Sequence, residues 1–381
     1  MKKKTKAMIA MVVVVLLILL GIAIIYTIYE MKEEKGNQGN QLSENIRQEE
    51  NEGSQTKEVK ETEGISIVGT REEKLENNTM WCGTFQLIWN DLKNEVAKQD
   101  IVFTPQTDLA NKLNKGDFTT NDVSDRSYYK KWGTPSISLK QEIEKAIQDK
   151  FSETSDILDL FNWEEAGPED IFLYTMLKKE FNFIQEFDDL GTADFKDQKD
   201  IAYFGTGGES SEELRNQVQV VYYDNADHFA ILLETKEKEQ VMLVKNPEGT
   251  TFHQIEESIK AKKENYTGKS TLQEGETLKI PNIKVNEMKE FKEVEGKPFY
   301  FSDGNSYYID QAIQTIQFEL DKKGGKIKSE AGMMVNKMAL LPNEEEKREF
   351  ILDDTFAIFL QEEGKENPYF AAKIDDMSLF Q

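Results

Sequence analysis

The sequence predicts an α+β fold, with an N-terminal transmembrane helix followed by a domain in which helices pack on mixed or antiparallel sheets. Two observations predict this. A run without charged side chains occupies residues 7–29. In the rest of the chain, helical periodicity comes first and β-prone runs follow, without the strict alternation of strand and helix that a doubly wound sheet requires.

The apolar run at residues 7–29 is long enough to cross a membrane. A helix rises about 1.5 Å per residue, so it can span a hydrocarbon core about 30 Å thick. The basic residues of segment 1–6 precede it and acidic residues follow it. This arrangement favours a cytoplasmic N-terminus and an extracytoplasmic C-terminal domain at the cell membrane. A cleaved secretory signal is the alternative, although its apolar core would be shorter, about 7–15 residues.

The chain divides by composition into four parts. A basic cytoplasmic tail (1–6) and the transmembrane helix (7–29) are followed by a segment (30–64) that is rich in Glu, Lys, Gln, Asn and Gly. Such a segment buries too little apolar surface to offset its ordering entropy, and we interpret it as a flexible polar stalk. The folded domain is expected at residues 65–381.

Charge and cysteine content exclude some classes of function. The chain has 47 basic and 71 acidic residues, for a net charge of -24. Such an acidic protein is unsuited to binding a phosphate backbone, so no nucleic-acid partner is expected. Cys82 is the only cysteine. No internal disulfide can therefore form, and a domain of this length does not need one.

Hydrophobic spacing predicts the elements of the folded domain in order. The predicted helices are 84–96, 139–151, 155–161 and 171–183, each with apolar residues at intervals of three and four. The predicted strands are 218–223, 229–234, 240–244, 311–320, 356–360 and 369–374, together with an edge or irregular strand at 278–285 that contains Pro281.

Three residues could form a thiol site. Cys82 is expected at the start of a helix, where backbone amides would lower the pKa of its thiol. His228 opens a predicted strand and Asn246 follows the next one. The order Cys, His, Asn resembles that of papain-like peptidases, which implies a surface thiol hydrolase as one alternative. The Gln that usually precedes such a Cys is absent, and a buried free Cys with a surface His is the other interpretation.

No motif indicates a metal or a cofactor. His228 and His253 lie far apart in the sequence, and neither has a carboxylate or a second His at ligand spacing. The glycine-rich stretch at 205–208 lacks the Lys of a phosphate-binding loop. We therefore expect neither a metal site nor a cofactor.

The C-terminal quarter carries a different signal. A predicted strand at 307–320 ends at Asp321-Lys322-Lys323-Gly324-Gly325, and about 25 residues later two further strands begin at Phe356 and Tyr369. This order resembles the serpin family, in which a strand, a hinge and an exposed reactive loop precede two final strands. Short upstream matches at 79–103, 218–234 and 278–285 extend the resemblance, which implies a serpin-like domain.

The resemblance implies a set of site residues. The reactive-loop hinge would comprise Gly324, Gly325, Ile327, Ser329 and Ala331. Because strand side chains alternate, the last four of these share one face, while the charged side chains between them point the other way. An inserted strand is thus possible although charged residues stand where small ones are usual.

The specificity residues of the implied loop would be Lys337 and Met338. The alternative is that 325–335 forms a permanent strand and that 338–341 packs in the core. The expected function is a membrane-anchored, serpin-like protein without catalytic activity that binds or inhibits an extracellular peptidase or binds another surface protein. The competing hypotheses are the thiol hydrolase and a non-catalytic adhesion or sensing ectodomain.

Overall fold

The computed structural model describes residues 60–164, 167, 169–207, 210–302, 304–327 and 347–381. The predicted transmembrane helix and most of the predicted stalk lie outside these residues. In the part of the chain that is described, no helix is long and apolar enough to cross a membrane.

Five α-helices occur among the described residues. They are α1 (Thr84–Asp91), α2 (Asp108–Leu113), α3 (Ile137–Phe151), α4 (Glu212–Asn216) and α5 (Phe252–Asn265). A π-helical turn, Leu92–Ala97, extends α1. The N-terminus of α3 is capped by Ser136, whose side-chain oxygen accepts a hydrogen bond from the amide of Leu139, as is usual where a helix begins.

Nineteen strands lie in the same residues. They are β1 (Ile65–Ile67), β2 (Asn78–Cys82), β3 (Tyr128–Gly133), β4 (Phe172–Leu177), β5 (Lys179–Asn182), β6 (Asp188–Phe195), β7 (Gln198–Thr206), β8 (Val218–Asn225), β9 (His228–Glu234), β10 (Glu239–Lys245), β11 (Thr277–Pro281), β12 (Ile283–Glu290), β13 (Phe299–Tyr300), β14 (Ser306–Tyr307), β15 (Ile313–Asp321), β16 (Gly324–Ile327), β17 (Glu349–Ile351), β18 (Phe356–Glu362) and β19 (Phe370–Ile374).

A seven-stranded sheet lies at the centre of the core, in the order β1-β2-β19-β18-β10-β9-β8. Its middle strands are apolar on both faces, since β9 and β18 bury five consecutive residues each, Phe229–Leu233 and Phe356–Leu360. A second sheet has the order β17-β11-β7-β6. The α+β class predicted from the sequence is confirmed, and the sheets are mixed.

A third sheet is interrupted. Four strands pair in the order β12-β15-β16-β5, and β3 pairs with β4 separately. Only Lys178 separates β4 from β5 along the chain. Strands β4 and β5 therefore form one nearly continuous extended segment. Strand β16 pairs with β5, the second half of this segment, and not with β4.

Helix α3 covers the outer face of β4. Leu139, Ile143 and Ile147 of the helix pack with Phe172 and Tyr174 of the strand in one apolar cluster. Because side chains alternate along a strand, the intervening residues face the other way, and Leu173 and Leu177 join the main core. Strand β4 is thus buried on both faces.

Three predicted elements differ from the structure. The predicted helix at 171–183 is wrong, because this segment forms β4 and β5. The predicted helix at 155–161 contains only one 3-10 turn, Leu158–Leu160. The single strand expected at 278–285 is two strands in different sheets: Pro281 ends β11, and β12 begins at Ile283.

The remaining predicted elements are found within one to three residues of their expected bounds. The helices at 84–96 and 139–151 correspond to α1 with its π-helical turn and to α3. The strands at 218–223, 229–234, 240–244, 311–320, 356–360 and 369–374 correspond to β8, β9, β10, β15, β18 and β19.

Candidate functional site

The predicted hinge forms a strand inside a sheet. Gly324, Gly325 and Ile327 lie in β16, which is antiparallel to both neighbours, β15 and β5. Gly325 stands opposite Leu320 on one side and Phe181 on the other. The remaining predicted site residues of this region, Ser329, Ala331, Lys337 and Met338, lie outside the described residues.

Both glycines of β16 are required by their surroundings. Gly324 has φ +154°, and a Cβ there would lie 2.1 Å from the carbonyl oxygen of Phe181. A Cβ on Gly325 would lie 2.4 Å from Cζ of Phe181. Glycine lets a backbone approach a neighbour this closely. The two glycines therefore allow a strand to fit between β15 and β5.

The turn that leads into β16 is held by hydrogen bonds. Asp321 accepts from the amide of Lys323 at 2.8 Å through its side chain. The carbonyls of Lys322 and Lys323 accept from the amides of Phe187 and Phe183, at 2.8 and 2.9 Å. Side-chain acceptors of this kind favour tight turns. The start of β16 is thus fixed to the segment that follows β5.

Charges alternate across the outer face of this sheet. Lys326 stands opposite Glu319 of β15 and Glu180 of β5. Its Nζ is 3.5 Å from Oε2 of Glu319, whose Oε1 is 3.1 Å from Nζ of Lys284 on β12. The Oε1 atom of Glu180 is 3.2 Å from Nζ of Lys178. Opposite charges facing one another across strands stabilise that register, so Lys326 fits β16 between its neighbours.

A cavity continues from the end of β16. Beyond Ile327 the strands β4 and β15 have no strand paired between them among the described residues. They border a cavity of about 700 Å³, to whose floor Phe85, Ile88 and Trp89 of α1 contribute. The cavity therefore occupies the line along which a longer β16 would run.

A buried ion cluster lies where β16 ends. Lys179, opposite Ile327, is paired with Glu239 of β10 and, at 2.6 Å, with Glu362 of β18. Its Nζ also lies 4.8 Å from the centre of the Tyr369 ring. The side chains of Lys179 and Glu239 are 3% and 4% exposed. The cluster thus links β5 to the seven-stranded sheet beneath it.

The two carboxyls of this cluster differ in pKa. Burial raises the pKa of Glu239 despite the attraction of Lys179. Burial also acts to raise the pKa of Glu362, but hydrogen bonds from Lys179 and Ser124 outweigh it and hold that pKa below its ordinary value. Loss of solvent disfavours a charge, whereas bonds to the ionised form favour it. Lys179 therefore favours the ionised form of both Glu239 and Glu362 in the interior.

The C-terminal end of segment 328–346 leads into a strand of another sheet. Strand β17 pairs in parallel with β11. Just before it, Arg348 forms two hydrogen bonds with Glu276, at 2.7 and 2.8 Å, and one with the hydroxyl of Tyr266, at 2.8 Å. Nineteen residues, 328–346, thus connect two anchored ends, Ile327 and Lys347.

The alternative thiol site is not assembled in the structure. His228 and Asn246 lie at one end of the β9-β10 hairpin, where Asn246 Nδ2 donates to the carbonyl of Asp227 at 3.1 Å. Cys82 lies on β2, four strands from β9 in the same sheet. Successive cross-strand partners lead from Cys82 to Leu233, which is five residues from His228 along β9. With about 4.8 Å between strands and about 3.4 Å per residue, Cys82 and His228 are roughly 25 Å apart.

The environment of Cys82 also differs from the expectation. Burial raises the pKa of the Cys82 thiol, although hydrogen bonds from Thr84 and Gly83 act in the opposite direction. The side chain is buried within β2. The amides at the start of α1 do reach the sulfur, as predicted, but loss of solvent is the larger effect. A thiol in this environment is a weak nucleophile.

Several residues of the region could not be recognised from the sequence. No group of three His, Cys, Asp or Glu side chains is placed to hold a metal ion in the part that the structure describes. Lys179, Glu239 and Glu362 are far apart along the chain, and Glu180 and Glu319 carry no motif. Only the alternation of charged and uncharged residues after Gly325 could have indicated that Lys326 faces outward, toward acidic side chains on neighbouring strands.

Sequence comparisons identify no relative: the chain matches no protein-family model and no curated protein.

The solved structures that are similar to this chain include the following three. A highly specific serpin of the insect Tenebrio molitor is 11% identical over 79% of this chain and 92% of its own, with a TM-score of 0.43. A tumour-suppressing serpin is 14% identical over 71% and 72%, with a TM-score of 0.40. Human thyroxine-binding globulin with its thyroxine is 11% identical over 67% and 77%, with a TM-score of 0.38. The likeness to serpins that the sequence predicted is one of fold, and it carries no statement about activity.

Proposed function

We propose that this chain is a membrane-anchored, extracytoplasmic, serpin-like protein that binds a peptidase through residues 328–346. Cleavage in this segment would free its N-terminal part to lengthen β16 between β4 and β15. The protein would then act as an inhibitor without catalysing a reaction itself. The residues proposed to face the peptidase are Lys337 and Met338.

The observation that carries the proposal is β16 itself. Its four residues already form a strand between β15 and β5, and the cavity lies directly beyond them. Continuing the same register would place residues 328–334 opposite Lys178–Phe172. Strand addition of this kind gains main-chain hydrogen bonds along its whole length. The energy available therefore grows with each residue inserted.

The side-chain pattern supports the same direction. Gly325 faces the ring of Phe181 and the core, while Lys326 faces outward. Alternation would direct Ser329, Ala331 and the residue at 333 inward, and the charged residues at 328 and 330 outward. The outward residues would meet a surface that already accommodates charges. The charged hinge is therefore compatible with insertion.

The proposed location rests on the sequence. The apolar run at 7–29, with basic residues before it, would hold the chain in the cell membrane, and the polar stalk would lift the folded domain from its surface. An epitope at the C-terminus should be digested by protease added to intact cells. Protection of that epitope would contradict the proposed orientation.

Limited proteolysis of the full chain in detergent tests the proposed insertion. We expect cleavage within 328–346, located by mass spectrometry, and a large rise in the Tm of the nicked protein. Ala331→Glu would place a charge at an inward position and should remove the rise, because burying an unpaired charge is costly. Glu330→Lys keeps a charge at the adjacent outward position and should leave it.

The outcome also separates the proposal from its closest rival. Cleavage without a rise in Tm would mean that the segment does not insert, and the protein would then be a binding module. The charged residues at 326, 328 and 330 are the feature that favours this second function. A Tm rise that is equal in Ala331→Glu and in the unmodified chain would overturn the proposed register of residues 328–334.

A further inference from the structure

The cavity between β4 and β15 has the size of a small-molecule site. Its volume of about 700 Å³ lies in the range of such pockets, about 300–1,000 Å³. Much of its lining is apolar and aromatic, and Phe85, Ile88 and Trp89 of α1 contribute to it. The cavity passes through the sheet, because the inward and outward residues of both bordering strands line it.

An unpaired acceptor lies on the inner side of the cavity. Gln314 is 4% exposed. Its Nε2 donates to the carbonyl of Cys82 at 3.0 Å and to the hydroxyl of Thr84 at 2.7 Å. Because a carbonyl can only accept, the orientation of this amide is fixed. Its Oε1 has no hydrogen-bond partner, and neither has the buried hydroxyl of Thr175 on the facing strand.

A second unpaired acceptor lies on the outer side. Gln317 donates from Nε2 to the carboxylate of Asp156 at 3.0 Å, which fixes this amide in the same way. The Oε1 of Gln317 is buried without a partner. Buried polar atoms are normally paired, so the two unpaired amide oxygens leave β15 with unused hydrogen-bond acceptors beside the cavity.

The charges of the lining have one predominant sign. The acidic side chains are Glu153, Asp156, Glu169, Asp170 and Asp310, and the basic one is Lys178. The ammonium of Lys178 is paired with Glu153 at 2.9 Å. In the described part of the chain no cation lies within 4.0 Å of Asp156, and burial raises the pKa of that carboxyl. The cavity thus has a partly buried carboxylate in need of a positive charge.

We propose that this cavity binds an apolar molecule that carries a primary ammonium group. The ammonium has three N–H donors and no acceptor, which complements the carboxylate of Asp156 and the free oxygen of Gln317. The apolar body of the ligand packs against the aromatic floor. A second donor on the ligand reaches Gln314 or Thr175. Anionic molecules are excluded by the acidic lining.

This inference does not depend on a peptidase. A bound amine occupies the space that the proposed insertion of residues 328–334 would fill, so the two exclude one another. Loss of one function leaves the other testable. A chain that is stabilised by cleavage but binds no amine contradicts only the ligand site, and a chain that binds amine without stabilisation contradicts only the insertion.

The test is calorimetric titration of the full chain in detergent, with protein-free micelles as the blank. The probes are 4-phenylbutylamine, the neutral alcohol of the same skeleton and the corresponding carboxylate. We expect the amine to bind about tenfold or more tightly than the alcohol, as a charge-assisted hydrogen bond allows, and the carboxylate not to bind. Equal affinities for all three, or no binding of the amine, would overturn the proposal.

Two variants locate the binding. Asp156→Asn should weaken amine binding about tenfold or more and leave alcohol binding unchanged. Asp149→Asn, which alters an exposed carboxylate of α3 paired with Lys145, is the matched control. An equal effect of both variants would place the amine elsewhere.

Discussion

Gly325 and Phe181 lie in direct contact, so that a Cβ on Gly325 would stand 2.4 Å from Cζ of the aromatic ring. The ring is 2% exposed and belongs to the main core. Phe181 is also the strand partner of Gly325. The absence of a side chain at this position is therefore a condition for β16 to lie in the sheet.

Gly325→Ala should destabilise the folded domain by about 1–3 kcal/mol, because the ring of Phe181 must move in a well-packed core. Denaturant unfolding measures this loss. Gly207→Ala is the control, since nothing lies within 4 Å of the Cβ that it would add. Equal effects of the two substitutions would show that contact with Phe181 is not the cause.

Lys326→Glu should weaken the pairing of β16 with its two neighbouring strands. The new carboxylate would stand between Glu319 and Glu180, and like charges that face each other across strands are destabilising. The cost is about 1 kcal/mol or less at this partly exposed position. Hydrogen exchange in residues 321–327 should become faster.

Lys326→Arg retains the positive charge and serves as the control for this variant. A double variant, Lys326→Glu with Glu180→Lys, should recover part of the protection because it restores one opposite pair. Unchanged exchange in Lys326→Glu would mean that the charges do not hold the strand.

Cys82 should not react with a thiol reagent in the folded protein. Burial raises the pKa of the thiol and excludes the reagent, so labelling requires opening of the domain. We expect alkylation at about pH 8 to be slower by about 10³-fold or more than in denaturant, measured by mass spectrometry. Rapid labelling of the native chain would mean that the thiol is accessible in solution and would contradict its burial within β2.

The sequence predicted strands and helices well where one pattern dominated. Strands β8, β9 and β10 are short β-branched and aromatic runs between polar turns, and such runs are typical of strands. The turn after β15 was predicted from Asp321 and the two glycines that follow. In these cases local propensity and tertiary packing favour the same structure.

The prediction was wrong where a strand is buried on both faces. In 171–183 the apolar residues Phe172, Leu173, Met176 and Leu177 have helical spacing. In the structure, even-numbered residues of β4 pack on α3 and odd-numbered ones on the main core. A strand covered on both sides loses its alternation, and its apolar run cannot be distinguished from a helix by period.

The candidate site was only partly predictable for a related reason. Gly324, Gly325 and Ile327 are neighbours in sequence, and a resemblance could locate them. The residues that receive β16, among them Phe181, Glu180 and Glu319, become neighbours only through sheet pairing. Lys179 and its partners Glu239 and Glu362 are joined across two sheets, and no local pattern encodes such a contact.

Lys179→Met should destabilise the domain more than either Gly325→Ala or Lys326→Glu. It removes the ammonium that Glu239 and Glu362 share and leaves two buried carboxyls without a cation. Breaking a buried ion pair in this way costs about 3–5 kcal/mol. Lys199→Met, which removes a surface partner of Asp194, should cost about 1 kcal/mol or less. Denaturant unfolding at neutral pH measures both values.

The pH dependence of the Lys179→Met variant identifies the cause of the loss. Without Lys179, burial should hold the folded-state pKa of Glu239 further above its unfolded value, and the pKa of Glu362 should rise because one of the groups that lower it is lost. A carboxyl with a raised folded pKa contributes stability at low pH, and that contribution is lost as the pH rises through the folded value. The variant should therefore regain stability relative to the unmodified chain as the pH falls from about 8 to about 5. A difference in stability that stays constant over this range would attribute the loss to packing of the lysine stem and would remove the two carboxylates from the explanation.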